Sequence, residues 1–171
     1  MANIVDSGER REFESGAVRD VAEGKGRCDL LPLDICADVL TYYFENYDSM
    51  KFNRDVLTPI SAFMHDHDIN NLYLALGRFA THYEWDVPTM LLEVSKHFED
   101  GAKKYGERNW EKGIPAHCYV DSAVRHYLKF CNDMDDERHD RAFCWNLLCL
   151  AWTLRHRPEC CDLWGDTRGD G

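Results

Sequence analysis

The chain has 171 residues, 44% of them hydrophobic and 30% charged, which suits one soluble globular domain with an adequate core. Its net charge of -11 argues against a nucleic-acid polymer as main partner, because phosphate backbones are gripped by clustered Lys and Arg. A nucleotide is not excluded, since a small anion needs only a local cationic pocket and a metal can supply further charge.

No apolar run reaches the roughly 20 residues that span a bilayer, so no membrane partner is expected. The polar start, Met1 to Glu14, does not read as a signal peptide, and a cytoplasmic location is expected. Cys28, Cys36, Cys118, Cys131, Cys144 and Cys149 lie mostly inside apolar segments, as free thiols do in a reducing compartment. There is no Cys-x-x-Cys and no zinc-type spacing, and Cys160-Cys161 falls in a polar tail.

In chain order, residues 1–14 read as a disordered N-terminus and 15–157 as a single helical domain. A Gly-punctuated basic segment, Ser15 to Arg27, is expected as an arm or loop. Pro32 suits the start of a helix from Leu33 to Tyr47, with Ile35, Val39, Tyr42, Tyr43 and Phe44 as its apolar positions. A short helix begins at Thr58-Pro59 and stops near His65-Asp66-His67-Asp68, a cluster read as a helix-ending turn. A third runs from Asn70 to Tyr83. Asp86-Val87-Pro88 starts a fourth that reaches Tyr105. Residues 106–116 form a Gly- and Pro-containing loop, His117 to Asn132 a fifth helix, and Asp136 to His156 the sixth. Pro158 ends it, leaving 158–171 as a loose tail. No strand-like alternation of useful length occurs, so the fold class is all-α, an irregular helical bundle packed around helices four, five and six.

The stripe Phe143, Cys144, Leu147, Leu150, Ala151 and Leu154, extended backward, leads to Asp140 and Glu137. Buried carboxylates need a cation, and Mg²⁺ prefers such oxygens. Asp136 and Glu137 are equally acceptable as a solvated acidic helix start. On helix four Glu93 is the better second carboxylate, whereas Glu99 either joins it or pairs with Lys103. His97 reads as a boundary residue. On helix five Asp121 and Arg125 suit a surface pair, and His126 either packs or moves a proton near neutral pH. Asn146 lies seven residues after His139 and either orients it or makes an ordinary bond between helices.

Gly101 to Gly113 gathers Lys103, Lys104, Arg108 and Lys112 in an otherwise acidic chain. Tyr105 and Trp110 offer flat faces for a base, and Asn109 offers a hydrogen bond to a base edge. No Walker-type phosphate loop is present. The plain alternative is a helix C-cap with Trp110 plugging the core.

Gly16-Ala17-Val18-Arg19-Asp20, Gly24 through Pro32, Phe98 through Trp110, Asp121 through His126 and His139 through Asn146 together resemble the phage-associated dATP/dGTP diphosphohydrolase N-terminal family. That family is similar in outline to the MazG-like all-α nucleotide pyrophosphohydrolases. The resemblance covers roughly residues 15–33 and 87–157 and makes 34–86 an inserted helical region. It implies a MazG-like, Mg²⁺-dependent enzyme (Mn²⁺ as a substitute) that cleaves a (deoxy)nucleoside triphosphate to monophosphate and pyrophosphate. It also implies a homo-oligomer, acting as a phage protein in the host cytoplasm. MazG-like proteins carry Glu-x-x-Glu and then Glu-x-x-Asp. The second is met by Glu137-Arg138-His139-Asp140; the first is absent, since Lys96 follows Glu93 by three and Ala102 follows Glu99 by three.

The metal candidates are therefore Glu93, Glu99, Asp136, Glu137 and Asp140. His126 and His139 are the catalytic candidates for proton transfer. Lys104, Tyr105, Arg108, Asn109, Trp110, Arg125 and Asn146 are the substrate-binding candidates. The missing acidic pair leaves open a non-catalytic nucleotide-binding protein, for example a phage sponge that sequesters a nucleotide second messenger of host defence. A third reading is a His-Asp phosphohydrolase, in which His97 or His126 precedes the His139-Asp140 dipeptide and Asp162 follows it.

Overall fold

Six α-helices make up most of the structure, a computed structural model that describes residues 8–83 and 85–163. They are α1 (Leu33–Met50), α2 (Leu57–Asp66), α3 (Ile69–His82), α4 (Val87–Tyr105), α5 (Ala116–Cys131) and α6 (His139–His156). The fold is an all-α bundle. Their starts follow local chemistry: Asp68 caps α3 by accepting from the Asn70 amide, and Asp86 caps α4 by accepting from the Thr89 amide. Pro88 in the first turn of α4 has no N–H to leave unsatisfied. His67 takes a left-handed conformation, φ 55°, that ends α2.

Helix α6 is the axis of the bundle. Phe143, Cys144, Leu147, Leu148, Cys149, Leu150 and Ala151 are all fully buried, so the helix is apolar nearly all round, as a core helix must be. It contacts α1, α3, α4 and α5. Residues 34–86, expected as an insertion, thus share one core with the rest. At their centre α1 presses on α3: a Cβ on Gly77 would meet Met50 Sδ at 2.4 Å, so the close approach requires glycine.

Three boundaries differ from the sequence pattern. The expected disorder at 1–7 and 164–171 lies outside the described residues. Within the remainder of the N-terminal segment, β1 (Arg10–Glu12) pairs antiparallel with β2 (Val18–Asp20). Both strands have three residues and almost no burial, so they carry no apolar alternation to read. At the C-terminus, a 3-10 turn at Pro158–Cys160 follows α6 and Leu163 is buried, so the chain packs at least that far.

The third difference matters most for the site. Helix α6 begins at His139, not Asp136, with Arg138 in a non-helical conformation before it. The carboxylates of Asp136 and Glu137 therefore stand in the turn leading into α6, and only Asp140 lies in its first turn. The His139 ring, almost wholly buried, is tied to Asp136 Oδ1 at 2.9 Å, and its amide donates to the Glu137 carbonyl. These local bonds compete with a further helical turn.

Candidate functional site

Helix α4 (Val87–Tyr105) carries one wall of a cavity at its C-terminal end. There His97, Phe98, Gly101, Ala102 and Tyr105 line a volume of about 270 Å³. Arg108, Asn109, Trp110 and Ile114 close it from the following loop, Trp145 from α6 and Leu30 from the arm before α1. The loop turns because Gly106 has φ 90° and Arg108 φ 54°. Trp110 then falls inward, edge-on to Phe98 and to Trp152, and is buried. Its indole N–H has no acceptor among the described residues. Four of the substrate-binding candidates, Tyr105, Arg108, Asn109 and Trp110, thus meet at one cavity.

An N-terminal arm straps this end of α4 in place. The amides of Gly24 and Gly26 each donate to one oxygen of Glu99 at 2.9 Å, and Lys103 Nζ stands 3.1 Å from the same carboxylate. Those amides hold Glu99 below the usual carboxylate range against the cost of burial. Gly26 is forced by geometry as well as by φ 89°, since a Cβ there would meet Ser95 Oγ at 2.0 Å. Arg27 then pairs with Asp29 and Glu107, and Arg108 donates to the Asp29 carbonyl at 3.0 Å. Glu99 therefore spends its oxygens on the arm and on Lys103.

The second part of the site is the junction of α4, the C-terminal half of α5 and the start of α6. His126 Nδ1 and His139 Nδ1 face each other at 3.0 Å. Glu137 Oε1 lies 3.7 Å from His126 Nε2. Asp136 bonds His139 on one side and Lys129 on the other, and Lys129 first, then His139, bring its carboxyl down to about 2. A cavity of about 330 Å³ opens here, lined by Phe130, Met134, Asp135 and residues 137–140.

A closed ion network borders this junction. Arg141 Nε and Nη2 donate to Glu93 Oε2 at 3.0 and 2.5 Å, while Lys96 donates to Oε1 at 2.6 Å. Lys96 first, and Arg141 after it, hold Glu93 low despite partial burial. Arg138 grips both oxygens of Asp140 at 3.0 and 2.6 Å and reaches Glu93 at 3.7 Å. Arg138 and Arg141 escaped sequence reading because their partner Glu93 is about 50 positions away, and no local spacing announces such a pair.

His97 lines the aromatic cavity, its ring lies tilted by 55° to Trp145 with centroids 5.8 Å apart, and burial pushes its pKa down while the carboxylates of Glu137 and Asp100 push back. On α4 the slot residue His97 and Glu93 of the ion network stand one helical turn apart.

The remaining candidates sit elsewhere. Lys104 is exposed, with Nζ 4.9 Å from the Tyr105 ring. Arg125 pairs with Asp121 on the outer face of α5. Asn146 Nδ2 donates to the Ala142 carbonyl one turn back, so its bond stays within α6 and does not reach His139. Asp162 holds His117 at the start of α5. It lies beyond the far end of α6 from His139, and 18 helical residues span about 27 Å, which separates the elements of a His-Asp centre.

A family model described as dATP/dGTP diphosphohydrolase, N-terminal, matches residues 76–162. The match covers the second half of α3 through α6, and so includes both parts of the site but not the N-terminal arm. No curated protein and no solved structure matches the chain.

Proposed function

The chain belongs to the dATP/dGTP diphosphohydrolase N-terminal family, a family of nucleotide hydrolases. From that premise we propose that it cleaves a (deoxy)nucleoside triphosphate to monophosphate and pyrophosphate at the C-terminal end of α4, on a MazG-like framework. The observation that carries this reading is the cavity at the end of α4. Its walls are aromatic, its rim holds Arg108 and Asn109, and its wall residue His97 lies one helical turn from Glu93, whose ion network borders the junction of His126, His139 and Glu137.

In this reading the base lies among Phe98, Tyr105 and Trp145, where ring faces supply stacking. Asn109, on the cavity lining, reads its edge, and Trp110 forms the buried wall behind it. The phosphates run toward the start of α6, with Arg108 and Lys104 neutralising the departing pyrophosphate. With no ion on its ring His126 accepts or returns a proton; burial lowers its pKa, so it is neutral near pH 7 and a weaker base than a free imidazole.

A divalent ion would supply Lewis acidity to the phosphates and make a water more acidic, and Glu137 is the carboxylate left to hold it. The five carboxylate candidates do not form a magnesium cage as they stand. Glu93, Glu99, Asp136 and Asp140 are each neutralised by a Lys or Arg, and only Glu137 is without one among the described residues. Mg²⁺, or Mn²⁺ in its place, is accordingly proposed as the companion of the triphosphate, held chiefly by phosphate oxygens.

The same closed network favours a second reading, a nucleotide-binding protein without catalysis. Its sharpest form is a phage protein of the host cytoplasm that sequesters a nucleotide second messenger. In either form we propose a homo-oligomer with a nucleotide ligand, and no nucleic-acid polymer as partner. No helix among the described residues is long and apolar enough to cross a membrane.

Incubation with each dNTP and NTP plus Mg²⁺ or Mn²⁺ separates the two. Release of pyrophosphate, lost in Arg108→Ala, supports the hydrolase. Tight binding with intact ligand recovered after denaturation supports sequestration. No binding and no release for any nucleotide sinks both.

A further inference from the structure

The junction of α5 and α6 holds a hydrogen-bonding contradiction. Asp136 Oδ1 can only accept, and it lies 2.9 Å from His139 Nε2, so that nitrogen carries the proton. His139 Nδ1 is then a lone pair. It faces His126 Nδ1 at 3.0 Å, so this second nitrogen donates. The neutral His126 ring has one proton, which leaves Nε2 as a bare lone pair. That lone pair looks at Glu137 Oε1 across 3.7 Å, an acceptor facing an acceptor. Protonating either ring would resolve the conflict, at the cost of placing a charge on a side chain only 14% (His126) or 1% (His139) exposed. A metal ion would resolve it without charging the ring.

We propose that His126, His139 and Glu137 bind one divalent first-row transition-metal ion, of the Mn²⁺, Co²⁺ or Zn²⁺ class, in preference to Mg²⁺. One ligand atom from each residue lies within 4.8 Å of the other two. His126 offers the ion one nitrogen: its Nε2 lies 3.7 Å from Glu137 Oε1, near the spacing of two donors about 2.1 Å from a common ion, and the 3.0 Å contact of its Nδ1 with His139 Nδ1 opens as His139 Nδ1 turns to the ion. Two imidazoles and one carboxylate suit borderline ions, whereas Mg²⁺ takes oxygen ligands and keeps its waters. Asp136 stands behind His139 as the outer carboxylate that fixes a ligating imidazole and raises its basicity. Lys129, on the far side of Asp136, holds it there at 2.7 Å. The cavity beside Glu137 and Phe130 gives an ion, and its remaining waters, a way in.

The site differs from the carboxylate set that the family resemblance implies. Glu93 and Asp140 stay in their arginine network, and the ligands come instead from the two histidines. Binding of this ion does not rest on nucleotide hydrolysis, so it is measured without nucleotide.

The test is titration of EDTA-treated full-length protein with Co²⁺, followed by visible absorption and by calorimetry. One tight equivalent is expected, with d–d bands of a nitrogen- and oxygen-ligated ion. His126→Ala and His139→Ala should each weaken it at least tenfold, Asp136→Asn about tenfold, with helical circular dichroism retained. His117→Ala, at the opposite end of α6, should bind as the parent does. A hundredfold excess of Mg²⁺ should leave the spectrum unchanged, while Zn²⁺ should bleach it. The assignment is overturned if folded His126→Ala binds as tightly as the parent, or if Mg²⁺ displaces Co²⁺ at that excess. It is equally overturned if the tightest Co²⁺ shows the near-ultraviolet charge-transfer band of a thiolate. A protein that binds Co²⁺ as stated yet cleaves no nucleotide leaves this site standing and removes only the hydrolase.

Discussion

The Glu99 carboxylate accepts the Gly26 amide at 2.9 Å, seventy-three residues away in sequence, and with it clips the N-terminal arm onto α4. The same carboxylate takes the Gly24 amide, and its side chain is only 8% exposed. Removing it leaves two backbone donors without their acceptor. Glu99→Ala is expected to cost about 2–3 kcal/mol, the scale of hydrogen bonds to a charged group. That corresponds to a melting temperature lower by about 4–12 °C for a chain of this size. Gly26→Ala should act in the same direction, because the new methyl meets Ser95 and the backbone is left-handed there. A thermal-denaturation series checks both; a Glu99→Ala protein as stable as the parent would remove the arm from the fold's energetics.

Glu93 and Arg141 bind α4 to α6 with both side chains largely shielded from water. Arg141→Ala leaves Glu93 with Lys96 and a distant Arg138, so part of its desolvation goes uncompensated. A loss of about 1–3 kcal/mol is expected, below the figure for a fully buried pair because Lys96 remains. In a double-mutant cycle of Glu93→Gln and Arg141→Gln, the coupling should exceed about 0.5 kcal/mol. Additive losses would mean the pair is decorative.

Much of this architecture was legible from sequence because it rests on short-range signals. Pro32, Asp68, Asp86 and Pro158 mark helix boundaries by backbone chemistry alone, and the observed ends fall within a few residues of those signals. The gathering of Tyr105, Arg108, Asn109 and Trp110 was legible for a similar reason, since they lie within six positions. Three things were not. The start of α6 was masked because Asp136 and Glu137 match the helical period while their side chains serve His139 and His126 instead. The hairpin β1–β2 has no buried face and so no pattern. The Glu99–Lys103 pair was legible at i,i+4, but the Arg141 partner of Glu93 and the Gly24 and Gly26 partners of Glu99 come from other segments, and only folding brings them in.

Burial of His97 makes stability depend on pH near neutrality. Desolvation lowers its folded-state pKa, with Arg141 acting the same way and Glu137, Asp100 and Asp140 opposing. Between that lowered value and its ordinary value of 6.5 the unfolded chain binds more protons than the folded one. The associated stability is therefore present above pH 6.5 and is lost as pH falls toward the folded value. The slope for one such group is at most about 1.4 kcal/mol per pH unit. Melting temperatures of metal-free protein between pH 7.5 and 5.5 should fall, and His97→Gln should flatten the fall. An unchanged slope in that variant would assign the dependence to another group.

Tyr105 and Trp110 touch the same cavity but should fail differently when removed. Tyr105 is 59% exposed, so Tyr105→Ala leaves the core intact. If the cavity holds a base, this variant should lose stacking of about 1–3 kcal/mol, a weakening of roughly 5- to 150-fold in nucleotide affinity. Its melting temperature without ligand should stay near the parent's. Trp110 is buried against Phe98 and Trp152, and Trp110→Ala should cost about 3–5 kcal/mol of stability before any ligand is added. A nucleotide thermal-shift panel on both variants reads the difference, because a ligand that binds only the folded state raises its apparent stability. A Tyr105→Ala protein that keeps the parent's full shift with every nucleotide would place the base outside this cavity.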